Sequence, residues 1–314
     1  MSNTILEIKG LTKKFFNEQG QTLTACNNIS LTATKGQTLG IVGESGCGKT
    51  TLMRTLTQIF PANGGEIILD GVNILNLSGE AARQSRRKLQ MVFQDPSSSF
   101  NPKMKVKDII CEPLLNFNLI KKADVDNKAS ELLTLVELPS DFKDRYPHSM
   151  SGGQRQRLGI ARALSLEPEI IIFDEATSAL DVSVQNTICE LLAKLQREKQ
   201  LTYLFICHDL ALVNSFSHKI AVMYLGNIVE MLDNTKYELS ADALHPYTKA
   251  LIKSVFTSNT KIIEPLEGDI PSPIDLPKGC PFQSRCAIAQ EICSSEAPVL
   301  KQIKVGHQAA CHLI

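Results

Sequence analysis

The sequence has no excess charge of either sign and no long apolar run. Its 33 lysine and arginine residues balance 33 aspartate and glutamate residues, so no overall field draws the chain to nucleic acid. No stretch approaches the roughly 18 uninterrupted apolar residues of a membrane-spanning helix. The N-terminal residues also lack the basic, apolar and small-residue segments of a secretory signal. We therefore expect a cytosolic chain that associates with a membrane only through a partner.

The chain of 314 residues is long enough for one large domain and an appendage. An apolar run at 39–42 leads into a Gly-rich loop at 43–50, and a segment of helical composition follows. This order predicts a strand, a phosphate-binding loop and a helix. Continuous apolar runs at 169–174 and 202–208 predict parallel strands buried on both faces. Further strand patterns predict an antiparallel sheet, at 5–16, 23–33 and 64–71.

The remaining segments divide the chain. Apolar pairs recur among polar residues from 106 to 138, which predicts a helical subdomain spanning about 100–165. Prolines punctuate the sequence beyond residue 233 and predict an irregular extension. We therefore expect an α/β fold whose main domain, residues 1–233, combines a parallel sheet core, an antiparallel β subdomain and a helical subdomain. Residues 234–314 are expected to form a C-terminal extension.

The Gly-rich loop fits the pattern G-x-x-x-x-G-K-[ST] and has the strand-to-helix context that this pattern requires. Its glycines let backbone N–H groups close around phosphate oxygens, and the helix N-terminus adds its positive end. Lys49 is expected to reach the terminal phosphates, and the Thr50 hydroxyl to coordinate Mg²⁺. The predicted phosphate-binding set is Gly43, Glu44, Ser45, Gly46, Cys47, Gly48, Lys49, Thr50 and Thr51.

Two adjacent acids follow the apolar residues at 170–173. Asp174 ends the predicted strand, where its carboxylate can hold Mg²⁺ opposite Thr50. Glu175 is placed to polarise the water that attacks the γ-phosphate, as a catalytic base.

A second glycine motif lies at Ser151–Gln154. Serine at the cap and glutamine three residues later form a capping box for the helical segment that follows. Capping explains Ser151 and Gln154 but not Gly152 and Gly153, which leave a helix N-terminus open to an anion. Capping and phosphate binding are compatible.

Together these motifs resemble the ATP-binding-cassette (ABC) ATPase family, a branch of the P-loop NTPases. The resemblance implies that Ser151, Gly152, Gly153 and Gln154 complete the ATP site of an opposite subunit rather than their own.

The resemblance also assigns roles to residues that are weak signals singly. Gln94 matches the glutamine that contacts Mg²⁺ and the attacking water and senses the membrane partner. His208 matches the histidine that contacts the γ-phosphate, so both are expected to act in catalysis. The segment Ser178–Asp181 matches the loop that crosses the dimer interface, with Asp181 in the ATP site. Phe15 occupies the position of the adenine-stacking aromatic, with Phe16 beside it.

The sequence contains 9 cysteines, many for a cytosolic protein. Those that are scattered singly are expected to be buried free thiols: Cys26, Cys47, Cys111, Cys189 and Cys207. The others crowd into the end of the chain: Cys280, Cys286, Cys293 and Cys311. Their spacing fits neither a zinc finger nor a ferredoxin, so either a cross-linking metal or unligated thiols remain open. We interpret His245 and His307 as structural or solvated histidines rather than ligands.

The C-terminal extension is similar to that of the oligopeptide and dipeptide importer ATPases, a branch that includes nickel importers. The resembling segments are 92–96, 179–185, 245–251, 279–282 and 285–286. The likeness implies that Cys280, Cys286, Cys293 and Cys311 bind a [4Fe–4S] cluster, as in some members of the branch.

The resemblance implies an ATPase subunit, peripheral to the cytoplasmic face of the cell membrane, that couples hydrolysis of Mg-ATP to peptide uptake. Its expected partners are a second ABC ATPase subunit, either a related chain or a second copy, two integral permease subunits and, indirectly, an external substrate-binding protein. The alternatives are a nickel importer ATPase, a soluble ABC ATPase in iron–sulfur cluster assembly or DNA repair, and a redox-sensing regulator.

Overall fold

The computed structural model describes residues 3–94, 99–176, 180–207, 209–256, 268, 271–274 and 276–314. Within these ranges the strands are β1 (Thr4–Phe16), β2 (Thr22–Thr34), β3 (Thr38–Val42), β4 (Gly64–Leu69), β5 (Val72–Asn73), β6 (Leu89–Val92), β7 (Ile170–Asp174), β8 (Thr202–Ile206), β9 (Lys219–Tyr224), β10 (Asn227–Asp233), β11 (Lys301–Lys304) and β12 (His307–Ala309).

The helices of the same ranges are α1 (Lys49–Leu56), α2 (Gly79–Lys88), α3 (Val106–Asn116), α4 (Val125–Leu135), α5 (Gly152–Leu164), α6 (Val182–Lys199), α7 (Leu210–Phe216), α8 (Leu239–Asp242), α9 (Pro246–Phe256) and α10 (Glu291–Ser295). Short 3-10 turns lie at Ile74–Asn76, Lys122–Asp124, Ser140–Asp144, Pro147–Ser149 and Gln283–Arg285. No helix among the described residues is long and apolar enough to cross a membrane.

The chain forms two compact units, and the first contains residues 1–34, 38–76 and 205–314. One of its sheets is antiparallel, with strand order β2-β1-β4-β5. The other runs in the order β11-β12-β10-β9-β3 and combines the parallel pair β3 and β9 with antiparallel neighbours. Every residue of β3 is buried, as expected for a strand covered on both faces. This unit carries the Gly-rich loop between β3 and α1.

The second unit contains residues 35–37 and 77–204. Strands β6 and β7 pair in parallel, and all of β7 is buried. Helix α3 packs against α4 and α5, and these helices form the helical part of the unit. Pro113 lies inside α3. This unit carries Gln94, the glycine motif at the start of α5, and the acids that end β7.

The structure confirms the predicted fold class: parallel strands, a separate antiparallel sheet and a helical segment are all present. The extension beyond residue 233 is more regular than expected, since it contains the 11-residue helix α9 as well as short elements between its loops. One of the short elements, β12, pairs with β10 and so covers an edge of that strand. The predicted boundary between residues 233 and 234 stays a prediction.

Candidate active site

The loop between β3 and α1 is shaped by glycines that no other residue could replace without movement of the backbone. A Cβ atom at Gly43 would lie 2.1 Å from the carbonyl oxygen of Met223. A Cβ atom at Gly48 would lie 2.1 Å from the carbonyl oxygen of Ala25, and Gly48 has a φ of 109°. These contacts show that backbone packing requires glycine at both positions.

The Lys49 side chain folds back onto the backbone of this loop. Its Nζ donates to the carbonyl oxygens of Gly43 (2.7 Å) and Glu44 (2.9 Å), and the side chain is only 5% exposed. Buried ammonium groups need such acceptors. The lysine charge is therefore held within the loop, where phosphate oxygens are expected to bind.

Other residues of the predicted phosphate-binding set differ in their position and in their exposure to solvent. Thr50 and Thr51 lie in the first turn of α1, where backbone N–H groups have no partner within the helix. Ser45 and Gly46 are exposed, whereas Cys47 is buried. Burial raises the pKa of the Cys47 thiol, although the nearby Lys49 lowers it. Cys47 is therefore a protonated packing residue at neutral pH.

The two residues expected to handle the attacking water are in contact in the second unit. Gln94 Nε2 donates to Glu175 Oε2 at 3.1 Å. Asp174, the last residue of β7, is 5% exposed. Glu175 follows with a φ of 49°, a left-handed conformation that is uncommon for a residue other than glycine. The strand end thus buries one carboxylate and turns the next toward the glutamine.

The second glycine motif forms the predicted capping box. Ser151 Oγ accepts from the N–H of Gln154 (3.3 Å), and Gln154 Oε1 accepts from the N–H of Ser151 (3.0 Å). Both residues are thereby fixed at the start of α5.

The two glycines of the motif have different structural reasons. A Cβ atom at Gly153 would lie 2.6 Å from Val184 Cγ1, so glycine is required there for the close approach of α6. A Cβ atom at Gly152 would make only an ordinary contact, 3.5 Å from Leu180 Cδ2. Packing therefore requires glycine at position 153. At position 152, packing does not explain why a side chain is absent.

Asp181 caps α6, since its Oδ1 accepts from the N–H of Val184 (3.0 Å) and from the hydroxyl of Ser183 (2.7 Å). These hydrogen bonds, first that of the Ser183 hydroxyl, lower the pKa of Asp181. Ser178 and His208 of the predicted motifs lie outside the described residues, as do residues 95 and 96 of the resembling segment 92–96. Their roles stay predictions.

Phe15 is the predicted adenine-stacking residue. Its ring meets Phe60 edge to face, with centroids 5.4 Å apart, and Lys13 Nζ lies 4.7 Å from its centroid. The neighbouring Phe16 is 67% exposed. The stacking role of Phe15 stays a prediction.

The four cysteines of the extension share one neighbourhood. The N–H of Cys280 donates to the carbonyl of Cys293 at 2.7 Å. Burial raises the pKa of Cys280 to about 11, and the charges of Cys293, Cys311 and Cys286 act in the same direction. Across the described residues, however, no three His, Cys, Asp or Glu side chains are arranged so that they could hold a metal ion. The thiols as placed do not form a metal-holding group, and the iron–sulfur cluster stays a prediction.

His245 and His307 of the extension have structural partners, as interpreted from the sequence. His245 is buried, and its Nδ1 accepts from the N–H of Tyr247 at 3.0 Å. His307 Nε2 lies 2.7 Å from Glu230 Oε1, with both side chains fully buried.

Two residues that were not predicted as site residues contact the phosphate-binding loop. The N–H of Glu44 donates to Tyr247 Oη at 2.9 Å, and the Glu44 carboxylate pairs with Arg285. Both residues lie in segments of the extension that carry the resemblance to importer ATPases. That was the available signal, although it gave no indication of what the residues touch.

Comparison with known proteins places these features in a family. Residues 26–178 match the family described as ABC transporter, and residues 229–293 match the one described as oligopeptide/dipeptide transporter, C-terminal region. The chain is 45% identical to the oligopeptide transport ATP-binding protein AppF of Bacillus subtilis over 99% of this chain and 97% of that protein. It is 44% identical to OppF of Haemophilus influenzae, over 95% of this chain and 91% of that protein.

Solved structures agree. The ATP-binding cassette MJ0796, in a dimeric post-hydrolysis state bound to ADP and Pi, aligns with a TM-score of 0.66 and 28% identity, over 73% of this chain and 98% of that one. CbiO1 of Clostridium perfringens, part of an ABC transporter complex, aligns with a TM-score of 0.65 and 25% identity, over 75% of this chain and 90% of that one.

Proposed function

This chain belongs to the ABC transporter ATPase family, and from its C-terminal region we propose that it is the ATP-hydrolysing subunit of an importer for oligopeptides or dipeptides. The observation that carries the proposal is the likeness to oligopeptide transport ATP-binding proteins along almost the entire chain, including the extension. These relatives are oligopeptide transport proteins. They therefore support a peptide importer over the alternatives of a nickel importer and a cluster-assembly ATPase.

The loop residues would bind the nucleotide. Lys49 already holds its ammonium inside the loop, and we assign it to the β- and γ-phosphates. The oxygen ligands of Thr50 and Asp174 suit Mg²⁺, which prefers hydroxyl, carboxylate and phosphate oxygens. When bound, Mg²⁺ would neutralise charge on the phosphates. Phe15 is assigned to adenine, by stacking.

Glu175 and Gln94 would act on water. Glu175 accepts a hydrogen bond from the water molecule and orients its oxygen toward the γ-phosphorus. As the new P–O bond forms, a proton of the water passes to the Glu175 carboxylate and the bond to the β-phosphate oxygen breaks, so ADP leaves with that electron pair. Gln94 fixes the carboxylate through its hydrogen bond, and His208 is assigned to the γ-phosphate.

The start of α5 is proposed to serve the ATP of another subunit. Ser151 and Gln154 are fixed by the capping box, and Gly152 leaves room for an anion at the helix N-terminus. The partner subunit is a related chain or a second copy, and Asp181 is assigned to the interface between them.

We place the subunit at the cytoplasmic face of the membrane, bound to two permease subunits that receive substrate from an external binding protein. The support is the relatives' role in oligopeptide transport together with the absence of a spanning helix among the described residues.

A [4Fe–4S] cluster at Cys280, Cys286, Cys293 and Cys311 is the further part of this proposal. Its support is the shared neighbourhood of the thiols and the matching C-terminal region, while their present arrangement does not hold a metal. Protein purified anaerobically should contain iron and sulfide. One zinc ion per chain, or no metal, would remove the cluster from the proposal.

Transport in vesicles tests the function. The complex that co-purifies with this chain from membranes is reconstituted in vesicles with its permease and binding protein. Uptake of a labelled oligopeptide and uptake of nickel are then measured in the presence of ATP. We expect ATP-dependent peptide uptake and peptide-stimulated ATP hydrolysis. Uptake of nickel without peptide uptake would contradict the proposed substrate class.

A further inference from the structure

An ion pair joins the C-terminal extension to the second residue of the phosphate-binding loop. Arg285 donates through Nη1 to Glu44 Oε2 (2.8 Å) and through Nη2 to Glu44 Oε1 (3.1 Å). The Arg285 side chain is 3% exposed and that of Glu44 is 19% exposed. Two parallel hydrogen bonds between charged groups are among the stronger contacts in proteins. The pair therefore fixes the direction of the Glu44 side chain.

A second contact from the extension fixes the Glu44 backbone. The Glu44 N–H donates to Tyr247 Oη, and the Tyr247 ring packs against those of Tyr224 and Phe282, with centroids 4.5 and 5.4 Å away; the latter two rings also meet, at 5.3 Å. Arg285 Nη1 also lies 3.4 Å from Tyr224 Oη. One aromatic cluster thus supports both contacts to the loop.

The start of α9, which presents Tyr247, is itself anchored. The buried Glu230 carboxylate accepts from the N–H groups of Leu244 (2.7 Å) and His245 (2.9 Å). His245 Nδ1 accepts from the N–H of Tyr247. These hydrogen bonds hold the first turn of the helix, so the tyrosine hydroxyl has a fixed position.

The loop has two reasons to need this support. The glycines give the loop little conformational preference of its own, so binding of the nucleotide would have to order the loop. It also contains a carboxylate, at Glu44, beside a site for polyphosphate. With Arg285 removed, that negative charge would repel the nucleotide and compete with it for the ammonium of Lys49.

We propose that Arg285 and Tyr247 are positioning residues for ATP, which act through Glu44 and make the C-terminal extension part of the nucleotide-binding machinery. The inference rests on the proposed ATP site. It assigns to the extension a task in binding ATP that is separate from any metal at its cysteines.

Equilibrium binding of Mg-ATP to the full-length chain, followed with a fluorescent ATP analogue, tests the proposal. Arg285→Gln should weaken binding about tenfold, because Glu44 keeps its charge and loses its partner. Glu44→Gln combined with Arg285→Gln should bind within about threefold of the wild type, because no uncompensated charge remains. Equal losses from Arg285→Gln in the wild-type and Glu44→Gln backgrounds would overturn the proposal.

A surface variant and folding measurements accompany this cycle. Lys301→Gln removes an exposed positive charge from the same extension and should leave the affinity unchanged. Thermal melting reports whether each variant is folded. If Arg285→Gln is unstable, Arg285→Lys replaces it in the test. That variant should weaken Mg-ATP binding about threefold, since lysine keeps the charge but not the paired hydrogen bonds.

Steady-state hydrolysis by the complete transporter separates positioning from a structural role. Arg285→Gln should raise the KM for ATP about tenfold with kcat little changed, as expected when binding alone is weakened. A lower kcat at unchanged KM would contradict the inference. Failure of the wild-type chain to bind Mg-ATP would instead contradict the proposed function, so the two failures are distinguishable.

Discussion

At the scale of single residues, the hydrogen bond between Gln94 and Glu175 is the contact most informative about hydrolysis. It joins residues 81 positions apart, and it orients the carboxylate proposed as the base. The sequence identified both residues by motif, and the carboxylate by its place after a buried strand. It could not predict that they touch, because no local periodicity relates them.

Replacing the proposed base should separate binding from hydrolysis. Glu175→Gln should retain affinity for Mg-ATP and lower the hydrolysis rate of the complex at least about a hundredfold, because an amide cannot accept the proton of water. Single-turnover hydrolysis measures the effect, and Glu198→Gln, on the exposed side of α6, is the control. Steady-state activity equal to that of the wild type would refute the assignment of Glu175.

Substitution by alanine should have different effects at the two glycines of the Ser151–Gln154 motif. Gly153→Ala forces a methyl group against Val184 and should lower the free energy of unfolding by about 1–3 kcal/mol. Val184→Ala in the same chain should restore part of it. Gly152→Ala should leave stability unchanged and lower ATP hydrolysis in the complex.

Denaturant unfolding and hydrolysis assays on these variants test both parts of that prediction. A stable Gly153→Ala chain would show that α6 can move away from the methyl group. Full hydrolysis by Gly152→Ala would show that the missing side chain at 152 is not needed for an anion.

At the scale of elements, helix breaks were harder to predict than strands. The apolar pattern from 106 to 138 predicts a helical segment, and the structure divides it into α3 and α4. Asn118, between them, has a φ of 54°, a left-handed conformation that asparagine tolerates. Apolar spacing continues across such a break, so periodicity alone cannot place it. The strands at 5–16 and 23–33 were predicted within one residue at each end.

The anchored start of α9 should make the fold sensitive to acid. Burial lowers the pKa of His245 to about 4, although the Glu230 carboxylate raises it. The unfolded chain, with a histidine pKa near 6.5, binds more protons than the folded chain between those values. Stability is therefore complete above pH 6.5 and falls as the pH drops toward 4, by about 3 kcal/mol at most.

Urea unfolding at pH 7.5 and 5.5 measures this loss. His245→Asn keeps an acceptor for the N–H of Tyr247 and removes the titration, so its unfolding free energy should change less between the two pH values. The Glu230 carboxylate, whose pKa is lowered despite its burial, titrates further into acid. Identical pH dependence in the wild type and His245→Asn would contradict the assignment to His245.

At the scale of the whole molecule, the role proposed for the motif at Ser151–Gln154 implies that each ATP site needs two chains. The rate of hydrolysis per chain should therefore rise with protein concentration when the isolated protein pairs with itself. It should stay low at all concentrations when a related chain is required, and rise on addition of that chain. Sedimentation with Mg-ATP follows the association. Full activity of a monomer would contradict the shared site.

The contact between Arg285 and Glu44 also bears on how such proteins diverge. Its two members are separated by 241 positions, yet each is suited to the other's charge. A change at either position leaves the other unsuited, so the pair is expected to covary between relatives. Exchange of C-terminal extensions between two importers should then give active hybrids only when residue 44 travels with residue 285. The extension and the loop that it touches are therefore expected to be inherited together.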